Sequence, residues 1–255
     1  MRLANITWPQ AQEYFKENDM VLLAIGSIEC HGRHMPLGTD TLIPDHLLQM
    51  IEEKSDVLIA PTIPYGATQS LASYPGTIDI DGEILFQFFR QVMLSLYRHG
   101  ARKFVILNGH GGNMKTIEQL GLEFEEKGCL LANLNWWLMA WDLNPAWKGG
   151  HGGAEETAGV LAVDPGLVDW SQVEDMRLKP VSDEIESTGF KTVRYKGVEI
   201  PVVRPVTDIS DNGWIGPDHP KNATEEWGRD MLDACAKYIA DFLGAFRRAP
   251  LPQSK

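Results

Sequence analysis

Phe104-Val105-Ile106-Leu107-Asn108-Gly109-His110-Gly111-Gly112-Asn113 is the stretch on which the fold turns. A short, continuous apolar run of this kind is the pattern of a strand covered on both faces, as in the middle of a parallel sheet. It ends abruptly in asparagines, glycines and one histidine. A histidine placed directly after a buried strand is held rigidly, and its flanking glycines let a ligand or the backbone come close. Working outward, the pattern recurs. Val21-Leu22-Leu23-Ala24-Ile25 stops at Gly26, Val57-Leu58-Ile59-Ala60 stops at Pro61, and Cys129 to Leu134 forms a fourth run.

Between these runs the apolar period changes to that of a helix. Ala11 to Lys16 suits a short amphipathic helix. Thr41 to Glu53 points Leu42, Leu47, Leu48 and Ile51 inward, with Pro44 expected in its first turn. Asp81 to His99 repeats Ile84, Leu85, Phe88, Val92, Met93, Leu96 and Tyr97 at helical spacing and meets Gly100 as a C-cap. A further helix runs from Asn113 to Lys127 and stops at Gly128. Strand, loop and helix thus alternate with short links, which defines an α/β protein with a largely parallel sheet. In such folds ligands sit beyond the carboxyl ends of the strands, where the histidine-rich segments fall. Later come a tryptophan-rich stretch (Trp136, Trp137, Trp141, Trp147), suited either to lining a pocket or to covering the core, and a hairpin around Lys196-Gly197 between Phe190 and Val203. A long helix then spans Thr224 to Phe246. Neither an internal repeat nor a dividing linker is present, so residues 1–255 read as one domain. Ala249 to Lys255 reads as a frayed tail.

Hydrophobic residues make up 44% of the chain and charged residues 23%, the balance of a soluble globular protein. A net charge of -12, with no basic stripe beyond Arg102-Lys103 and Arg247-Arg248, argues against nucleic acid as a partner and for a neutral or cationic small molecule. Cys30, Cys129 and Cys235 are odd in number and widely spaced, which fits a reducing compartment rather than a disulfide framework. The first residues have no leader-like apolar region and no later run reaches membrane-spanning length. A cytoplasmic protein with no membrane contact is therefore expected.

Three clusters carry the chemistry. In Glu29-Cys30-His31-Gly32-Arg33-His34, extended backbone would send Glu29 and His31 to the same side and Cys30 away. Carboxylate and imidazole are standard ligands for zinc and manganese. Asp40 follows nine residues after His31, far enough for the loop to return and for its two oxygens to serve two ions. His110 is the second cluster. Its neighbours Asn108 and Asn113 could donate to an oxyanion or cap the next helix, and the cap is favoured for Asn113. The third is His151-Gly152-Gly153-Ala154-Glu155-Glu156-Thr157, where a helix starts near Ala154. Spacing alone does not choose between Glu155 and Glu156. His34 is placed to support a ligand through a hydrogen bond, and His219 to flank a pocket. Arg33 either faces solvent or meets an anionic group of a substrate.

These three clusters, in this order and covering nearly the whole chain, resemble the creatininase (creatinine amidohydrolase) family. Gly213-Trp214-Ile215-Gly216, leading into Ala223-Thr224 and Gly228, is a weaker match. The resemblance implies a three-layer α/β/α sandwich with a largely parallel central sheet and a centre of two divalent ions, Zn2+ or Mn2+, in a homo-oligomer, often a hexamer. Position by position, it implies that Glu29 and His31 bind different ions, Asp40 bridges them, His110 is a further ligand and Glu156 the second acidic one. It makes His151 the proton-transfer residue. Two departures stand out. Creatininases proper carry a glutamate where this chain has Gly112, and Cys30 and Arg33 replace the commoner glutamine and proline. The implied activity is metal-dependent hydrolysis of a small cyclic amide or related carbonyl compound. Ring opening of a cyclic polyol ketone, deformylation of a formylamino-pyrimidine nucleotide and non-catalytic metal binding are the alternatives. An NAD-dependent enzyme would need a G-x-G-x-x-G turn after the first strand, which is missing.

Overall fold

The computed structural model describes residues 1–252; the last three residues of the expected tail lie outside them. The elements run α1 (Trp8–Glu17), β1 (Met20–Ile25), α2 (Thr39–Glu52), β2 (Leu58–Ile59), α3 (Gly82–Arg98), β3 (Lys103–Asn108), α4 (Met114–Glu125), β4 (Leu130–Asn135), α5 (Trp136–Leu143), α6 (Ala154–Val163), β5 (Glu186–Ser187), β6 (Thr192–Tyr195), β7 (Val198–Pro201) and α7 (Glu225–Arg247). The four apolar runs form one parallel sheet in the order β2-β1-β3-β4. Every residue of β1 and β3 is buried.

Successive side chains of a strand point to opposite faces, and the core divides on that rule. Met20, Leu22, Ala24, Val105 and Leu107 pack with α2, α5, α6 and α7. Val21, Leu23, Ile25, Phe104 and Ile106 pack with α1, α3 and α4. Two apolar helical layers therefore enclose the sheet, giving the three-layer α/β/α arrangement. Trp136 is fully buried in the first layer, whereas Trp137, Trp141 and Trp147 pack at its margin. The hairpin expected around Lys196-Gly197 is present as β6 and β7. It gains a short third strand, β5, in an antiparallel sheet of its own.

β1 and β3 are neighbours, and Ile25 pairs with Asn108 at their carboxyl ends. The chain leaving β1 enters α2 on one face, and the chain leaving β3 enters α4 on the other. Their loops diverge and open a crevice, the switch point at which α/β sheets bind ligands. The helix after β1 starts at Thr39, two residues before the expected position, so Pro44 lies inside it rather than in its first turn. Pro44 has no N–H for the carbonyl of Asp40, and that carbonyl sits against the backbone of Gly26 and Gly109 instead. Asp81 caps α3 by accepting from the N–H groups of Glu83 and Ile84. Asn113 occupies the expected N-cap position of α4, but its side chain makes no capping hydrogen bond. Its amide donates to the carbonyl of Gly26 and accepts the N–H of Ala67, tying together the loops after β1, β2 and β3.

Candidate metal centre

The crevice opens into a cleft of about 540 Å³ whose lining includes Glu29, Asp40, His110, His151 and Glu156. Glu29 and His31 come from the loop after β1, Asp40 from the first turn of α2, and His110 from the loop after β3. His151 and Glu156 come from the start of α6 and the loop before it. Glu29, His31 and Asp40 are buried to within a few per cent of their surface.

Asp40 divides its carboxylate between two histidines. Oδ1 lies 2.9 Å from His31 Nε2, and Oδ2 lies 3.0 Å from His110 Nδ1. Glu29 Oε1 stands 3.2 Å from His110 Nδ1, and Glu156 Oε2 stands 3.7 Å from His31 Nε2. Two sets of ligand atoms therefore share Asp40: Glu29, Asp40 and His110 on one side, and His31, Asp40 and Glu156 on the other. A third set, Glu29, His31 and His151, overlaps both. Glu155, the alternative acid, turns away from Asp40 to accept the indole N–H of Trp141.

Each imidazole is oriented by a backbone carbonyl. His31 Nδ1 lies 3.1 Å from the carbonyl of Glu29, His110 Nε2 2.9 Å from that of Ala67, and His151 Nε2 2.7 Å from that of Cys30. A carbonyl only accepts, so each of these nitrogens carries its proton there and the other nitrogen faces the carboxylates. A bare imidazole lone pair and a carboxylate oxygen repel at such distances. A proton or a metal ion between them removes the repulsion. His31 Nε2 is fully buried and has no hydrogen bond despite its 2.9 Å approach to Asp40. That orphaned nitrogen, aimed at two carboxylates, fits a metal ligand.

The local field follows the same geometry. Burial works against charge on His31, but the Asp40, Glu156 and Glu29 carboxylates outweigh it and raise the imidazole to about 10. His110 is also buried, yet Glu29 and Asp40 push it well above its usual value. Burial alone would raise Asp40; the two imidazoles bring it well below the carboxylate range. His151 is lowered to about 4 by burial and by the neighbouring His31, so it is neutral at pH 7. Its ring lies 4.4 Å from that of His31 and 5.0 Å from that of Phe190, centroid to centroid.

Further hydrogen bonds steady the acids. Ser27 Oγ donates to Asp40 Oδ2, Thr68 Oγ1 donates to Glu29, and the N–H of Gly152 donates to Glu156. Sequence reasoning missed Ser27 and Thr68, because a hydroxyl next to a ligand leaves no pattern along the chain. His34 does not support a ligand: its Nε2 meets Thr157 Oγ1. Arg33 pairs with Glu174 at the surface and does not line the cleft. His219 bonds Asp175 rather than flanking the cleft. Cys30 is buried with its thiol raised to about 11 by burial, as suits a packed side chain rather than a nucleophile. The 213–216 segment earns its place in the pattern by pairing with His151, whose carbonyl accepts the N–H of Ile215.

Gly112 has a structural reason. A Cβ at that position would lie 2.0 Å from the Ala67 carbonyl oxygen and 2.4 Å from His110 Nε2, the two partners whose bond orients His110. No side chain fits there on this backbone, and the second acid near His31 comes from α6 instead.

An α/β sheet whose switch point gathers three carboxylates and three oriented imidazoles could hold a metal ion, and comparison narrows the class. The family model for creatininase (creatinine amidohydrolase) matches residues 4–243, and the chain belongs to that family. Creatinine amidohydrolase of Pseudomonas putida is 31% identical, over 94% of each chain. A mycofactocin precursor peptide peptidase of Mycobacterium ulcerans is 28% identical, over 92% of this chain and 86% of its own. Among solved structures, a manganese creatininase superposes with a TM-score of 0.75 at 26% identity, covering 97% of this chain and 99% of its own.

Proposed function

We propose that the chain is a metal-dependent hydrolase that opens a small cyclic amide or a related carbonyl compound. The observation that carries this reading is the division of the Asp40 carboxylate between His31 and His110, each locked by its other nitrogen. Glu29, Asp40 and His110 would hold one divalent ion and His31, Asp40 and Glu156 a second, with Zn2+ or Mn2+ suited to this nitrogen and oxygen set. Bound there, such ions supply an activated water and polarise a carbonyl.

The remaining work falls to the chain. His151 keeps Nε2–H on the carbonyl of Cys30 and leaves Nδ1 free on the cleft side, 3.9 Å from Glu29. Nδ1 takes a proton from the attacking water and passes it to the leaving nitrogen. Gly111 and Gly112 border the cleft, and a backbone N–H of this segment would donate to the oxyanion that forms. Trp137 and Trp141 shield one side from solvent. Gly112, where creatininases proper carry an acid, argues for an amide other than creatinine.

The test is a panel of creatinine, other cyclic amides, formamides, short peptides and cyclic polyol ketones, assayed with protein supplied with Zn2+ or Mn2+. Turnover of one class is expected, lost on chelation and restored by either metal. Metal-loaded protein inert to the whole panel would contradict the reading.

A further inference from the structure

The proton-transfer and ligand roles leave one buried carboxyl of the cleft without a function. Glu155 is only 1% exposed, yet it borders the cleft. Its Oε1 accepts the Nε1–H of Trp141 at 2.6 Å. A Cβ on Gly149 would fall 2.2 Å from the Cβ of Glu155 and 2.6 Å from its Oε2, so the bare backbone of residue 149 rests directly on this side chain. Lys148 Nζ stands 5.6 Å above the Trp141 ring. One carboxyl thus joins α5, the segment leading to His151, and α6. A half-buried tryptophan at a cleft wall would otherwise sample several rotamers. Here its N–H is held by a buried carboxyl oxygen and one face lies under an ammonium group.

We infer that Glu155 is a positioning residue that sets substrate selection by fixing Trp141 as a rigid wall of the cleft. The inference rests on the hydrolase reading above. Glu155 belongs to none of the ligand sets around Asp40, so its effect is on fit rather than on metal. Loss of the anchor lets the indole swing, and the bound substrate loses a preformed surface.

The experiment uses the metal-loaded protein and the panel compound it turns over best. Glu155→Ala is expected to raise KM about tenfold, the scale of one lost hydrogen bond, with kcat changed by less than about threefold and metal content unchanged. Glu155→Gln keeps an acceptor for the indole and should recover most of the loss. Trp141→Phe should raise KM by a similar factor, and adding Glu155→Ala to it should change nothing further, because the two residues act through one bond. In protein labelled with ¹⁵N at the indoles, the Trp141 N–H resonance should move in Glu155→Ala and return in Glu155→Gln. An unchanged KM in Glu155→Ala, or effects of Glu155→Ala and Trp141→Phe that multiply, overturns the inference while leaving the hydrolase reading intact. Loss of metal in Glu155→Gln overturns it too, since Glu155 would then act through Glu156. A wild type inert to the panel removes both readings together.

Discussion

The two ends of the central sheet handle charge in opposite ways. At the amino end, Lys103 opens β3 nearly buried, donating to the carbonyl of Arg247 at 2.7 Å and lying 3.5 Å from Asp19. The Arg247 guanidinium pairs with Asp56. Each charge there meets its opposite, and the last turn of α7 is fastened to the sheet. At the carboxyl end, Glu29, Asp40 and Glu156 converge on the imidazoles of His31 and His110 with no lysine or arginine among the candidate ligand sets. Like charges taken out of water are tolerated only when a cation offsets them. One end holds the layers together, and the other, on the function proposed above, would receive a cation.

Substitutions at each end should separate these roles. The largest effect is expected from Asp40→Ala, which removes the shared carboxylate. Elemental analysis should find both ions gone and assays no turnover, while circular dichroism stays that of the folded chain. His151→Ala comes next. Its kcat should fall by about 10²–10⁴ with metal content unchanged; turnover equal to the parent would remove His151 from proton transfer. Gly112→Ala is smaller. The added Cβ must push the Ala67 carbonyl off His110, and titration with Zn2+ should show affinity reduced by about 10–100-fold, the usual cost of losing a group that orients a ligand. Lys103→Met, at the far end, should leave kcat and KM alone and lower stability by about 1–3 kcal/mol through the unsatisfied carbonyl of Arg247, read from urea unfolding. A change in KM for Lys103→Met, or stability loss without metal loss in Asp40→Ala, would erase the contrast between the ends.

The parts of this molecule that were legible in the sequence are those where one physical rule acts locally. Val21–Ile25 and Phe104–Leu107 announce buried strands because a strand enclosed on both faces has no polar position. Glu29, His31, Asp40, His110 and His151 could be marked as candidates because they lie in or beside glycine-rich stretches at strand ends, whereas only the family resemblance singles out Glu156. What sequence left unread depends on contacts between distant segments. Asn113 has the residue type of a helix cap, but three loops meet at it and claim its amide. Nothing near Thr68 signals that its hydroxyl reaches Glu29, 39 residues away. Glu155 and Glu156 are equivalent along the chain, and only the turn of α6 sends one toward His31 and the other to Trp141. The tryptophans likewise divide by helical phase, with Trp136 inward and Trp137 and Trp141 toward the cleft.

Whether Asp40 bridges two ions, as proposed, can be read from anomalous diffraction by crystals of the metal-saturated protein. Data collected at the absorption edge of the bound metal should show two peaks flanking the Asp40 carboxylate, one beside Glu29 and His110 and the other beside His31 and Glu156. A single peak, or peaks that leave Asp40 uncoordinated, would contradict the account.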